Sequence, residues 1–331
     1  MTVTNRAMTP STLDEQLTKY LTDVHAIEQQ ALAQMHAAPK LAGDDRLAQP
    51  FSQHLTETEE HERLIRSLLE ARGASPSKLK DVAGMLSGHG FGLFAALQPD
   101  TPGKLVVHAF SYEHMEEGAY DLLGMIATRA DDAAAVETAR RIEAQEHAMG
   151  DRLDALFDHA TEVALRDLQP HDLDPKLNSY LADAHAIEVQ SLKLLEKATD
   201  LAGTNELATA YREHYRETEG HERLVAGRLE ARGASPSGIK DAALGMGALN
   251  WGAFFSAQPD TPAKLAVFAY AVEHLEIGAY ELLKRVAQRA GDHETAQLAD
   301  QIIAQELDAA RLVRALFSEA LEATLSAQNL A

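Results

Sequence analysis

The sequence predicts an all-α protein made of two tandem four-helix bundles, each with a long crossover between its second and third helices. Three observations predict it. Apolar residues recur with a period near 3.6 almost throughout, and only 5% of the 331 residues are aromatic against 45% hydrophobic overall, a balance that favours helices over sheet. The chain is written twice at a constant offset of 160: His25-Ala26-Ile27-Glu28 returns as His185-Ala186-Ile187-Glu188, and Glu70 to Ser77 returns as Glu230 to Ser237. Gln98 to Pro102 returns as Gln258 to Pro262, with no gap between. A unit of that length exceeds any solenoid repeat and suits one bundle. The bundles are expected over residues 12–165 and 173–326, divided at the proline-containing segment Leu168 to Asp172.

The first helix is predicted from about Leu13 to Ala37, capped by Ser11 or Thr12, with Leu17, Leu21, Val24, Glu28, Ala31, Leu32 and Met35 on one face. The second runs from about Asp45 to Arg72 and stops at Gly73, a residue type that closes helices in the left-handed conformation. Asp100-Thr101-Pro102 starts the third, which ends near Asp131. The fourth, from about Asp132 to Ala164, turns Val136, Ala139, Ile142, Glu146, Leu153 and Phe157 inward. Short connections make antiparallel hairpins of the first and last pairs, and the segment Gly73 to Pro99, expected to be helical at Lys78 to Leu86, joins them. Two hairpins linked by one long crossover have ferritin-like connectivity.

Composition narrows the function. A net charge of −21 argues against nucleic acid or an anionic membrane as partner and favours cations. No apolar run reaches the length of a membrane span and the first twelve residues lack the apolar core of a signal peptide, so a cytoplasmic protein is expected. With no cysteine, carboxylate and imidazole are the metal ligands available.

The acids on the inner faces carry the chemistry. Tyr112-Glu113-His114-Met115-Glu116-Glu117-Gly118-Ala119-Tyr120 returns as Val272 to Tyr280. Residues three apart share a helix face, so Glu113 with Glu116, and Glu273 with Glu276, point two carboxylates along the stripe marked by Val106, Ala109, Leu123 and Ala127. On the second helix His54, Glu57, Thr58 and His61 lie on or beside the inner face, as do His214, Glu217, Thr218 and His221; Glu28 and Glu146, and their counterparts Glu188 and Glu306, also face inward. Each bundle thus aims about five carboxylates at one interior, with Lys19, Arg63, Lys104 and Arg129 phased outward. One such acid is ordinarily at a helix end or salt-bridged. Five together, each with a burial penalty of several kcal/mol, require common neutralisation, and a metal pair provides it. His54 and His61 are read as metal ligands or as groups that hold a carboxylate. His114 and His274 are read as surface residues, and Tyr120 and Tyr280 as hydrogen-bonded core tyrosines.

An inward Glu in the first helix, Glu-Thr-x-x-His then Glu-Arg-Leu in the second (Glu57 to Leu64, Glu217 to Leu224), Gly-Ala-Ser-Pro-Ser in the crossover and Glu-His-x-Glu-x-Gly-Ala-Tyr in the third run through each repeat. This combination resembles the YciE/YciF-like branch of the ferritin-like superfamily almost end to end. The resemblance implies a di-iron-type site, with two Fe per repeat and Mn as the alternative, and a link to stress responses. It implies Glu57 and Glu146 as bridging carboxylates with Glu28, Glu113 and Glu116 terminal, and the same roles for Glu217, Glu306, Glu188, Glu273 and Glu276. It also implies that the two repeats pair as an internal pseudo-dimer.

The sequence departs from the di-iron pattern, which has Glu-x-x-His on two helices. Three residues after Glu57 stands Glu60 and three after Glu146 stands Met149; His61, like His221 after Glu217, is four on and still on the same face, and the fourth helix has no inward His. A site richer in oxygen and poorer in nitrogen is therefore expected. Three function classes stay open: an oxidoreductase acting on Fe(II) with O₂ or H₂O₂, a metal-binding protein without turnover, and a metal-free stress or scaffold protein whose acids are protonated or His-paired. Repeat one carries Glu60, His108, Glu117, Glu143 and His147 where repeat two has Gly220, Phe268, Ile277, Ile303 and Leu307. These positions are expected to line a cation route that makes repeat one the faster site.

Overall fold

The computed structural model describes residues 10–74, 101–236 and 260–331. Repeat one consists of α1 (Leu13–Leu41), α2 (Asp45–Ala71), α3 (Thr101–Arg129), α4 (Ala133–Asp154) and α5 (Phe157–Leu165). A 3₁₀ turn at Pro170–Asp172 leads to α6 (Leu173–Leu201), α7 (Asn205–Ala231), α8 (Thr261–Arg289), α9 (His293–Ala315) and α10 (Phe317–Ala327) of repeat two. No strand occurs among the described residues. The first three helices of each repeat begin and end 160 residues apart, so the sequence repeat is also a structural one. The expected helix at Lys78 to Leu86 lies outside the described residues.

Local chemistry sets the helix ends. Thr12 caps α1 by accepting from the Glu15 N–H, and Asp44 and Asp132 cap α2 and α4 in the same way. Gly73 follows α2 at φ +67, where a side chain is disfavoured. At the start of α8 Asp260 occupies the cap position without capping; its carboxylate instead binds Lys19 of repeat one at 2.7 Å. α1 runs one turn beyond its expected end, to Leu41, with Pro39 in its last turn. The fourth helix is not continuous: it breaks at Ala155 and Leu156, and α5 begins at Phe157, whose buried ring lies beside Phe110. No proline or glycine marks the break, so helical periodicity alone did not reveal it.

Within each repeat the two hairpins face one another, α1 against α3 and α2 against α4, and the stripe of Val106, Ala109, Leu123 and Ala127 is buried as expected. The repeats then pack through their third helices, α3 on α8, as a pseudo-two-fold pair. The His114 and His274 rings stack at the centre of this seam, 3.6 Å between centroids and 13° apart. Both were expected on the surface. They do point away from their own bundles, but the other repeat covers them. Gly118 lets the backbones approach: a Cβ there would come within 3.2 Å of the Phe317 ring, and one at Gly278 within 3.4 Å of Phe110 and Phe157.

Charged groups close the seam. Lys104 meets Asp183 at 2.9 Å and Lys264 meets Asp23 at 2.9 Å, each across the two repeats. Arg314 of repeat two binds Glu117, buried to 2% exposure, and lies 2.8 Å from Glu143, while His147 Nδ1 lies 3.2 Å from the Glu117 carboxylate. His108 stands beside Lys104 and Asp183, and Glu60 pairs with Arg63 on the surface. The polar residues peculiar to repeat one therefore serve the seam and the surface. Rather than lining a route to the buried acids, Glu117, Glu143 and His108 face groups of the partner repeat, His147 binds Glu117, and Glu60 is engaged on the surface.

Candidate metal centre

Four helices bring six ionisable side chains of repeat one to one interior: Glu28 from α1, His54 and His61 from α2, Glu113 and Glu116 from α3, and Glu146 from α4. None is more than 1% exposed. Their placement follows from helical phase. His54 and His61 are seven residues apart, two turns and within about 20° of one azimuth, and Glu113 and Glu116 are three apart on α3. Their donor atoms form two groups, each within 4.8 Å: His54, Glu113, Glu116 and Glu146 in one, Glu28, His61 and Glu146 in the other. Glu146 belongs to both. Repeat two reproduces the pair as His214, Glu273, Glu276 and Glu306, and Glu188, His221 and Glu306.

The distances show a convergent site. His54 Nε2 lies 3.0 Å from Glu113 Oε2 and 3.1 Å from Glu146 Oε2, and His61 Nδ1 lies 2.8 Å from Glu146 Oε1. In repeat two His214 Nε2 is 2.8 Å from Glu273 and 3.5 Å from Glu306, with His221 Nδ1 2.8 Å from Glu306. The outer nitrogens are held by neighbours: His61 Nε2 by Gln145 Oε1 at 3.1 Å and His54 Nδ1 by Glu57 Oε2 at 2.8 Å. Each imidazole thereby turns its other nitrogen to the acids. Tyr120 donates its hydroxyl to Glu28, and Tyr280 to Glu188.

Electrostatically the interior is crowded with negative charge. Burial, then Glu146, pushes Glu28 and Glu116 well above the usual carboxylate range; burial, then Glu306, does the same to Glu276. Burial also lifts Glu113 and Glu188 to about 7. Burial disfavours the His54 and His214 imidazolium, but Glu113 and Glu273 outweigh it and raise both well above the ordinary histidine value. Among the described residues both oxygens of Glu113, Glu116 and Glu146, one of Glu28, and the inward nitrogens of His54 and His61 lack a hydrogen-bond partner of acceptable direction. Lone pairs aimed at a shared space and unmatched by donors are what a bound cation requires, so these residues fit a metal pair. Buried His and Glu groups that can hold a metal ion are thus present in both repeats.

The structure does not bring Glu57 into either group. It sits about 60° from His54 around α2, with its side chain 21% exposed, and binds His54 Nδ1 and Arg152. Glu217 is likewise outside, 52% exposed at its side chain and 3.5 Å from His214. The bridging position expected of Glu57 is left to Glu146 alone. His54 takes the inward place instead, and α2 supplies both imidazoles of the site. The expected shortage of nitrogen is corrected accordingly: each donor group contains one histidine. Sequence spacing did contain this signal, since His54 and His61 share a phase that Glu57 lies to one side of. Arg152, the partner of Glu57, gave no signal.

No helix among the described residues is long and apolar enough to cross a membrane. No solved structure matches this chain. The family described as a domain of unknown function (DUF892) matches residues 12–166 and again residues 173–326. The duplicated helical unit and its paired clusters of buried acids are thus two copies of one family domain, and the chain belongs to the DUF892 family.

Proposed function

We propose that each repeat holds two transition-metal ions, iron by preference and manganese as the alternative, four per chain, and that the iron-loaded protein oxidises Fe(II) with O₂ or H₂O₂ in a stress-related role. The observation that carries this reading is the sharing of Glu146 between two adjacent donor groups whose buried oxygens and nitrogens lack hydrogen-bond partners. A mixed carboxylate and imidazole set suits iron and manganese, and a redox-active pair so held supplies one-electron steps at neighbouring centres. The chain's own residues hold and shield the site. Tyr120 fixes Glu28, Gln145 fixes His61, and Glu57 fixes His54, while the closed aliphatic core around them excludes water.

One observation favours a second reading, a metal-free bundle: His54 and His61 already stand within ion-pair distance of Glu113 and Glu146, and a protonated His54 offsets part of the acid charge. Elemental analysis separates the two. Protein stripped by chelator and loaded anaerobically is expected to carry up to four Fe or Mn; less than one per chain rules the metal reading out. Glu146→Ala with Glu306→Ala is expected to abolish loading, since each removes the carboxylate common to both groups. Stopped-flow absorbance after mixing Fe(II)-loaded protein with O₂ or H₂O₂ then distinguishes turnover from simple binding.

A further inference from the structure

The two copies agree in every inward donor and disagree around the carboxylate that orients the first histidine. In repeat one Glu57 Oε2 accepts from His54 Nδ1 at 2.8 Å and from Arg152 Nη2 at 2.9 Å, and Arg152 is itself tied to the Ala148 carbonyl through Nε at 3.1 Å. Gln53 adds a contact to the other oxygen at 3.4 Å. The hydrogen bond from His54 and the Arg152 charge hold Glu57 at about 2. This chain locks the ring of His54 with Nε2 turned to Glu113 and Glu146.

In repeat two both supporting side chains are exchanged, Leu312 for Arg152 and Glu213 for Gln53, and Asp308 stands at the position of Ala148. Leu312 is exposed and offers no hydrogen bond. Glu213, one turn from Glu217, is a like charge on the same helix face, and Asp308 repels the Glu217 carboxylate from α9. Glu217 is correspondingly more exposed, 52% against 21%, and 3.5 Å rather than 2.8 Å from its histidine. His214 in turn stands 3.5 Å from Glu306 where His54 is 3.1 Å from Glu146.

We propose that the chain carries one pre-organised and one pliable metal centre: Arg152 and Glu57 act as positioning residues for His54, repeat two lacks this device, and repeat one therefore binds metal more tightly and fills first. The inference rests on the metal reading above and assigns the two centres different affinities. Ordering a loose ligand on binding costs affinity, and loss of a group that orients a metal-ligating histidine weakens binding by about 10–100-fold.

The test uses the full chain, with Glu306→Ala to leave only the repeat-one centre and Glu146→Ala to leave only the repeat-two centre, titrated with Mn(II) and, under nitrogen, Fe(II) by equilibrium dialysis. The Glu306→Ala protein is expected to bind about tenfold or more tightly than the Glu146→Ala protein. Adding Arg152→Leu to the former is expected to erase that advantage, with Arg152→Lys restoring part of it. Adding Leu312→Arg with Glu213→Gln to the latter is expected to tighten binding. A metal-free readout accompanies these: the His54 Nδ1 proton is expected to exchange slowly in ¹⁵N-edited NMR of wild type and to be lost in Arg152→Leu, while the melting temperature of the stripped protein stays within two or three degrees. Equal affinities of the two centres, a tighter repeat-two centre, or indifference to Arg152→Leu overturns the inference and leaves the metal reading standing. Absence of binding by both proteins overturns the two together.

Discussion

Replacing Glu116 and Glu276 by glutamine isolates the cost of crowding acids in the core. Among the described residues neither oxygen of Glu116 has a hydrogen-bond partner and no histidine stands within ion-pair distance of it, and Glu146, Glu28 and Glu113 all push its proton affinity up after burial has done so. Without metal the folded protein therefore holds the Glu116 proton to higher pH than the unfolded chain, which releases it above the ordinary value of 4.5. Each pH unit by which the folded carboxyl keeps its proton beyond the ordinary value costs about 1.4 kcal/mol of stability in its repeat. The sign is fixed: this group's penalty is absent below pH 4.5 and grows as pH rises. Glutamine has the shape of the protonated acid and no proton to lose. Urea denaturation of chelator-stripped protein at a series of pH values is expected to show Glu116→Gln with Glu276→Gln matching wild type near pH 4.5 and exceeding it increasingly as pH rises, by up to about 1.4 kcal/mol per pH unit in each repeat. A difference that does not change with pH, or a variant less stable than wild type at pH 7, would refute the reasoning.

Gly118→Ala is expected to lower stability by about 1–3 kcal/mol through overpacking against Phe317; Gly124→Ala, whose Cβ meets Ala139 at an ordinary 3.7 Å, is expected to be neutral or stabilising by up to about 1 kcal/mol. Thermal melts of the two variants side by side check this. Arg314→Ala leaves Glu117 buried without its cation and is expected to cost about 1–3 kcal/mol, most of it recovered by adding Glu117→Ile, the residue at the equivalent position of repeat two; denaturant midpoints of the single and double variants decide. Adding Mn(II) at a thousandfold excess over its dissociation constant to stripped protein is expected to stabilise a filled site by about 4 kcal/mol, and the rise in melting temperature is expected to vanish in Glu146→Ala with Glu306→Ala.

The linear sequence by itself determined much of this protein. A period of 3.6 can be satisfied only by helices with one apolar face, and an identical pattern 160 residues on must fold the same way, so the duplicated bundle was legible from residues alone. Phase also placed Glu28, Glu113, Glu116 and Glu146 in the interior, because the side-chain direction on a helix is set by position along it. What lies at the edge of a face was not determined in that way. Glu57 and His54 differ by about 60° of azimuth, too little for phase alone to say which of them reaches the centre; the tertiary packing puts the histidine inside in both repeats, and in repeat one Arg152 of α4 then holds Glu57, a contact across 95 residues. His114 and His274 point outward from their own bundle and a pattern that records only inside and outside reads them as solvated, while Glu117, at the edge of the inner face, is read as lining a cation route. Only the packing of α3 on α8 turns that outer face into a second interior, where rings stack, Arg314 finds Glu117, and the break before Phe157 has its purpose. Periodicity encodes the face each helix buries first; the second burial depends on a partner surface that no single helix carries in its own sequence.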